Sequence, residues 1–293
     1  HMISSCESLE AKTIVVIKQY KPEKIYIAAG DDWIAGRGIY KEQDLDMAVT
    51  DVNEQCALGA YKAREFIEKI RTVSSAPITW HSLRGNHDFY QKHSMLEYMH
   101  LLMSKLCEDI KDVKFIINFD RVILNLAHHG FYNVLIRHGF GYAKDNPNSM
   151  AFIGAIKDEL LYMQGQMQPE QQIRRVISGH GHWHSLDIQR SIGISFDTTG
   201  GLQRNTRVRI GANQRPSGWI VYISPHNMKS DIIEPIGIAP DKQTYARELA
   251  DPNLGLLNYK ESERCLKAFR ILMENKGTYG PASTSGVLNQ GRW

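Results

Sequence analysis

Residues 78–88 read ITWHSLRGNHD. Ile78 to Leu83 form a short run with β-branched and aromatic members, the pattern of a buried strand. Arg84-Gly85 ends it, and Asn86, His87 and Asp88 follow at once. These side chains can bind a metal or move a proton. In open α/β sheets, ligands sit at the carboxyl ends of the strands, so this junction decides how the rest of the chain is read. Upstream, KIYIAAG (24–30) is another apolar run ending in glycine, and Asp31 and Asp32 follow it. Downstream, NVLIRHG (133–139) carries His138, and IRRVISG (173–179) leads into His180, His182 and His184. Four strands thus deliver carboxylate, amide and imidazole groups at their ends.

The remaining elements fit between these strands. Residues 7–20 read as a helix with an apolar stripe, stopped by Lys21-Pro22. The Ala-rich stretch from Asp44 to Val73 reads as a long helix, and 94–108 and 148–166 as two more. VKFIINF (113–119), RVILNLA (121–127), SIGISFD (191–197) and GWIVYIS (218–224) read as further strands. Helices alternating with strands, then strand-rich hairpins, predict an α/β protein with a mixed sheet. We assign 3–235 to one domain and 236–293 to a C-terminal helical extension with an irregular tail. The tail after Lys276 is rich in Gly, Ser, Thr, Pro and Asn.

Carboxylate, imidazole and Asn carbonyl donors suit borderline divalent ions such as Mn, Zn, Fe or Ni. Two such ions roughly 3.5–4 Å apart can clamp a phosphate and turn water into hydroxide near neutral pH. Gly30-Asp31, Gly85-Asn86-His87-Asp88, His138-Gly139 and Gly179-His180-Gly181-His182 resemble the GD, GNHD, HG and GHxH motifs of calcineurin-like metallophosphoesterases, in the family's order. The resemblance implies an α/β/β/α sandwich of two mixed sheets flanked by helices. It implies that Asp31 bridges two metals, that Asn86, His138 and His180 complete one site, and that His182 belongs to the other. His87 would face the substrate, with Asp88 orienting it. GHGHWH offers GHxH in two frames, His180/His182 or His182/His184; Val176-Ile177 favours the first. His128-His129-Gly130 competes with His138-Gly139, and the strand count favours His138. The family's opening D-x-H motif does not precede Asp31. Either a first strand lies upstream of this sequence or the protein does without it. Asp32, His184 or His128 would then be the candidates to complete the first site, with one or two ions per chain.

The 293 residues carry a formal charge of +3, an excess that permits a nucleic-acid partner without requiring one. Arg204, Arg207, Arg209 and Arg215 form a late basic cluster that could contact the phosphates of a nucleic acid or nucleotide, or serve as a solvated hairpin face. Cys6, Cys56, Cys107 and Cys265 are scattered, with no CxxC pair, which argues against a disulfide framework and for a reducing, cytoplasmic setting. No apolar run approaches the ~18 residues of a membrane span, and no signal peptide opens the chain. The function expected is metal-dependent phosphoester hydrolysis by a phosphodiesterase or nuclease. The alternatives are a phosphomonoesterase, or a non-catalytic metal-binding module that lacks the first motif. Substrate identity, metal identity and oligomeric state are not legible.

Overall fold

A computed structural model describes residues 2–30, 33–38, 47, 49–85, 87–90, 93–118, 121–126, 132–138, 160–168, 171–179, 185–189, 192–196, 217–222, 232–237 and 263–275. The elements run α1 (Met2–Tyr20), β1 (Ile25–Gly30), α2 (Val52–Arg71), β2 (Ile78–Leu83), β3 (Phe89–Tyr90), β4 (His93–Ser94), α3 (Leu96–Leu106) and β5 (Val113–Asn118). They continue through β6 (Arg121–Asn125), β7 (Asn133–His138), β8 (Ile173–Gly179), β9 (Ser185–Gln189), β10 (Ile192–Phe196), β11 (Ser217–Tyr222), β12 (Ile232–Gly237) and α4 (Glu263–Asn275).

The first sheet has the order β1-β2-β5, all parallel. Gly30 pairs with Leu83, and Leu83 with Asn118, so the three strands end level at one edge. Successive side chains in a strand point to opposite faces. Ile25, Ile27, Ala29, Ile78, Trp80, Val113 and Phe115 therefore share one face, and all belong to the main core. Helices cover that face. Cys56, Ala60, Ala63, Ile67 and Ile70 of α2 pack there with Met99, Leu102, Met103 and Leu106 of α3 and Ala268 of α4.

Charge ties this helical layer together through α2. Glu10 of α1 is buried and receives Lys62, at 3.5 Å, and Lys69. Arg64 pairs with Glu68 at 2.9 Å and with Asp109 beyond α3, and Glu68 also receives Arg264 of α4. The two lysines, Lys69 reaching in from solvent, offset the cost of the buried Glu10 carboxylate, which would be high were it isolated. The Arg64 guanidinium holds the Asp109 carboxyl down at about 2.

The second sheet has the order β6-β7-β8-β10-β9 and is mixed. β6 pairs with β7 and β10 with β9 antiparallel, whereas β7–β8 and β8–β10 are parallel. Its inner face brings Leu124, Val134 and Ile136 into one core cluster with Leu83 of the first sheet, and β1 lies against β7. The two sheets are thus packed face to face with helices over the outer face of the first. The helical segment 160–165 buries Leu160. The layered α/β architecture expected from the sequence is the one observed. A separate ribbon, β11-β12, is antiparallel. No described helix is long and apolar enough to cross a membrane.

Three local differences have physical causes. The helix expected from Asp44 begins at Val52, because the Asp51 side chain accepts the Glu54 amide at 2.9 Å and caps it. β9 follows the His-rich run and pairs antiparallel with β10; its SLDIQ alternates polar and apolar residues, a period-2 signal that the sequence reading passed over. β12 contains Pro235, which demotes a run as a strand from sequence, yet among the described residues it pairs only with β11, and an edge position tolerates proline.

Candidate active site at the strand ends

Gly30 is level with Leu83 at the ends of β1 and β2, and each strand leads into a connection of which residues 33–38 and residues 84, 85, 87 and 88 are described. The two connections are then laced together by hydrogen bonds. Asp88, 2% exposed, accepts the Gly85 amide on Oδ2 at 2.7 Å and the Ile34 amide on Oδ1 at 3.4 Å. Its own carbonyl accepts the Met95 amide at 2.8 Å. One carboxylate therefore closes its own turn and reaches across to the segment that follows β1.

The half-buried His87 makes the second link. Its Nδ1 lies 2.9 Å from the Ala35 carbonyl oxygen. A carbonyl can only accept, so Nδ1 carries the hydrogen and Nε2 is the ring atom left for other partners. The 33–38 segment is itself anchored. Ile34 is buried in the main core, and Trp33 stacks at a tilt on Trp80, with ring centroids 5.3 Å apart, while its Nε1 donates to the Ala29 carbonyl at 3.4 Å. Gln55 of α2 grips Gly36 from the other side, accepting its amide at 3.1 Å and donating to its carbonyl at 3.3 Å. Sequence reasoning missed Gln55, whose partner Gly36 lies 19 positions away and leaves no pattern.

In the second sheet, His138 is the last residue of β7 and pairs with Gly179, the last of β8. His180 follows Gly179 directly. Inner-face alternation puts His138 on the same face as Val134 and Ile136, where Arg175 is also buried and donates through Nε to the Tyr132 hydroxyl at 3.3 Å.

Of the residues singled out from sequence, the structure thus joins His87 and Asp88 to Ala35 and Ile34 in the segment after β1, and pairs His138 with Gly179. Asp31, Asp32, Asn86, His128, His180, His182, His184, Arg204 and Arg207 lie outside the described residues. Among the described residues, no three His, Cys, Asp or Glu are grouped to hold a metal ion; His138 is the one expected ligand that belongs to them. Cys56 and Cys107 are free and buried. Burial, with Asp88 and then Asp51 adding to it, raises the Cys56 thiol well above its usual range, and burial pushes Cys107 up to about 12. Neither is a thiolate nucleophile at neutral pH.

No protein-family model matches this chain, and no curated protein matches it. Among solved structures it is similar to a novel archaeal phosphodiesterase, at 12% identity over 77% of this chain and 91% of the other, with a TM-score of 0.36. It is also similar to a single mutant of Vps29 from Entamoeba histolytica, at 10% identity over 73% of this chain and 98% of that one, with a TM-score of 0.32. Wild-type Vps29 from the same organism, complexed with zinc, is 11% identical over 60% of this chain and 89% of the other, at a TM-score of 0.32.

Proposed function

We propose that the chain is a metal-dependent phosphoester hydrolase with a phosphodiester as its preferred substrate, a nucleic acid strand included. The observation that carries this reading is the register: Gly30 level with Leu83, and His138 level with Gly179. His138 is itself a residue with the donor chemistry of a divalent site, Gly30 and Gly179 directly precede Asp31 and His180, and Leu83 stands three positions before Asn86. Asp31 would bridge two ions, Asn86, His138 and His180 would hold one of them, and His182 would join Asp31 at the other. The donor set of carboxylate, amide oxygen and imidazole fits Mn, Zn, Fe or Ni. Ions bound there would supply a nucleophile from water at neutral pH and neutralise phosphate charge.

The chain's own residues do the rest. His87, fixed through Nδ1 by Ala35, presents Nε2 to the substrate, where its protonated form gives a hydrogen to the departing oxygen. Asp88 supports that aim by binding both loops, since it holds Ile34 on one side and Gly85 on the other. Arg204 and Arg207 would contact phosphates flanking the scissile one. The test is a panel of Mn, Ni and Zn against bis(p-nitrophenyl) phosphate, p-nitrophenyl phosphate and single-stranded DNA. Metal-dependent turnover of the diester, ahead of the monoester, is expected. Absence of turnover with every metal, with metal bound, would leave a non-catalytic metal-binding module in its place.

A further inference from the structure

Gln55 sits at the start of α2 with 9% of its surface exposed, and its amide bonds backbone outside the helix, with the Met47 sulfur a further, longer contact of Nε2 at 4.0 Å. Oε1 accepts the Gly36 amide at 3.1 Å. Nε2 donates to the Gly36 carbonyl at 3.3 Å and to the Val49 carbonyl at 2.9 Å. A side-chain amide has an acceptor oxygen and two N–H donors on one planar end, and all three find partners here. The same group therefore holds Gly36 at both its polar atoms and ties it to Val49.

That grip acts where the backbone is least restrained by itself. Gly36 and Gly38 have φ of +65° and +75°, a region glycine enters freely and other residues avoid. Ala35 immediately precedes Gly36, and its carbonyl is the acceptor for His87 Nδ1. The peptide linking Ala35 to Gly36 thus carries both bonds: its oxygen faces His87 and its N–H faces Gln55. Rotating that peptide would break both together.

From this shared peptide we infer that Gln55 is a positioning residue for His87: it locks the Ala35–Gly36 peptide and thereby fixes the tautomer and aim of the imidazole. The value of that lock for turnover rests on the role proposed above for His87, whereas the lock itself does not. A Glu at position 55 would keep the shape and the acceptor for the Gly36 amide, but would set a second oxygen against two carbonyl oxygens. A Met would keep the length and lose all three bonds.

The experiment uses Gln55→Glu and Gln55→Met in the full chain. Histidine nitrogen-15 NMR on the metal-free protein, with the His87 signals assigned through His87→Gln, reads the ring tautomer directly. In the unsubstituted protein His87 is expected as the Nδ1–H form, and in each folded variant as a mixture of tautomers, with the other histidines unchanged. An unchanged His87 pattern in a folded Gln55→Glu or Gln55→Met protein overturns the inference. With Mn and bis(p-nitrophenyl) phosphate, kcat is expected to fall roughly ten- to a hundredfold, the scale of a misplacement of about 1 Å, with KM and bound metal unchanged. A lower Tm with kcat and the His87 tautomer both intact would make Gln55 a packing residue and also overturn it. If the unsubstituted protein hydrolyses no phosphoester, the proposed function fails and the NMR measurement still decides the role of Gln55.

Discussion

At the scale of single residues, His87 and Asp88 are neighbours in sequence with different tasks. His87→Ala removes the group aimed at the substrate and leaves the proposed ligands in place. Turnover should fall about 10²–10⁴-fold, the usual span for a general acid or base, with metal content by elemental analysis unchanged. Asp88→Asn is a different perturbation. It places an amide N–H against one of two backbone donors, Gly85 or Ile34, and a buried unsatisfied donor costs about 1–3 kcal/mol. Urea unfolding should show that loss, and turnover should drop with it because both loops loosen. The chemistry of GNHD was legible from its residue types. That Asp88 would bind the amide of Ile34, 54 positions earlier, was not, because a backbone donor carries no side-chain signature.

Among the elements, β2 and α2 carry most of the information. Ile78–Leu83 was readable as a strand to the residue, since β-branched and aromatic residues open it and Arg84-Gly85 closes it, even though His81 and Ser82 are buried within it. The start of α2 was read too early, and the correction lies in Asp51 and Glu54, a capping arrangement inside what looked like continuous helix. Asp51→Ala should cost about 1 kcal/mol, measurable by chemical denaturation. Leu83→Ala should cost about 2–5 kcal/mol, because Leu83 is fully buried where the two sheets meet. Gly59 faces the end of the Met99 side chain, where an added Cβ would come to 2.8 Å of Met99 Cε. That terminal methyl belongs to a flexible chain, so the close approach of α2 to α3 depends on a movable neighbour.

Across the whole molecule, buried histidines couple stability to pH. Burial lowers the pKa of His81 below its ordinary 6.5, with Lys114 adding to the effect, and burial also lowers His100. His81 accepts from Asn118 Nδ2 at 3.2 Å through Nδ1, with Nε2 buried and without a partner among the described residues. As pH falls, the unfolded chain binds these protons first, so the stability held by the neutral rings is complete above pH 6.5 and is lost as pH drops through the lower folded values. Urea midpoints should therefore fall from pH 7.5 to pH 5, and His81→Leu should flatten the slope. Proposed action on nucleic acid is tested at the same scale: affinity for single-stranded DNA should weaken steeply with salt, while turnover of a small diester should change little. By itself, the sequence determined the order of strands and helices and which chemistry stands at each strand end, because apolar runs and the polar residues that close them are local properties. The tertiary structure decided which of those ends lie level, and that Asp88, His87 and Gln55 lace the segment after β1 to its neighbours. Those bonds join backbone groups across long stretches of chain, and nothing in a local pattern records where a folded backbone turns its amides and carbonyls.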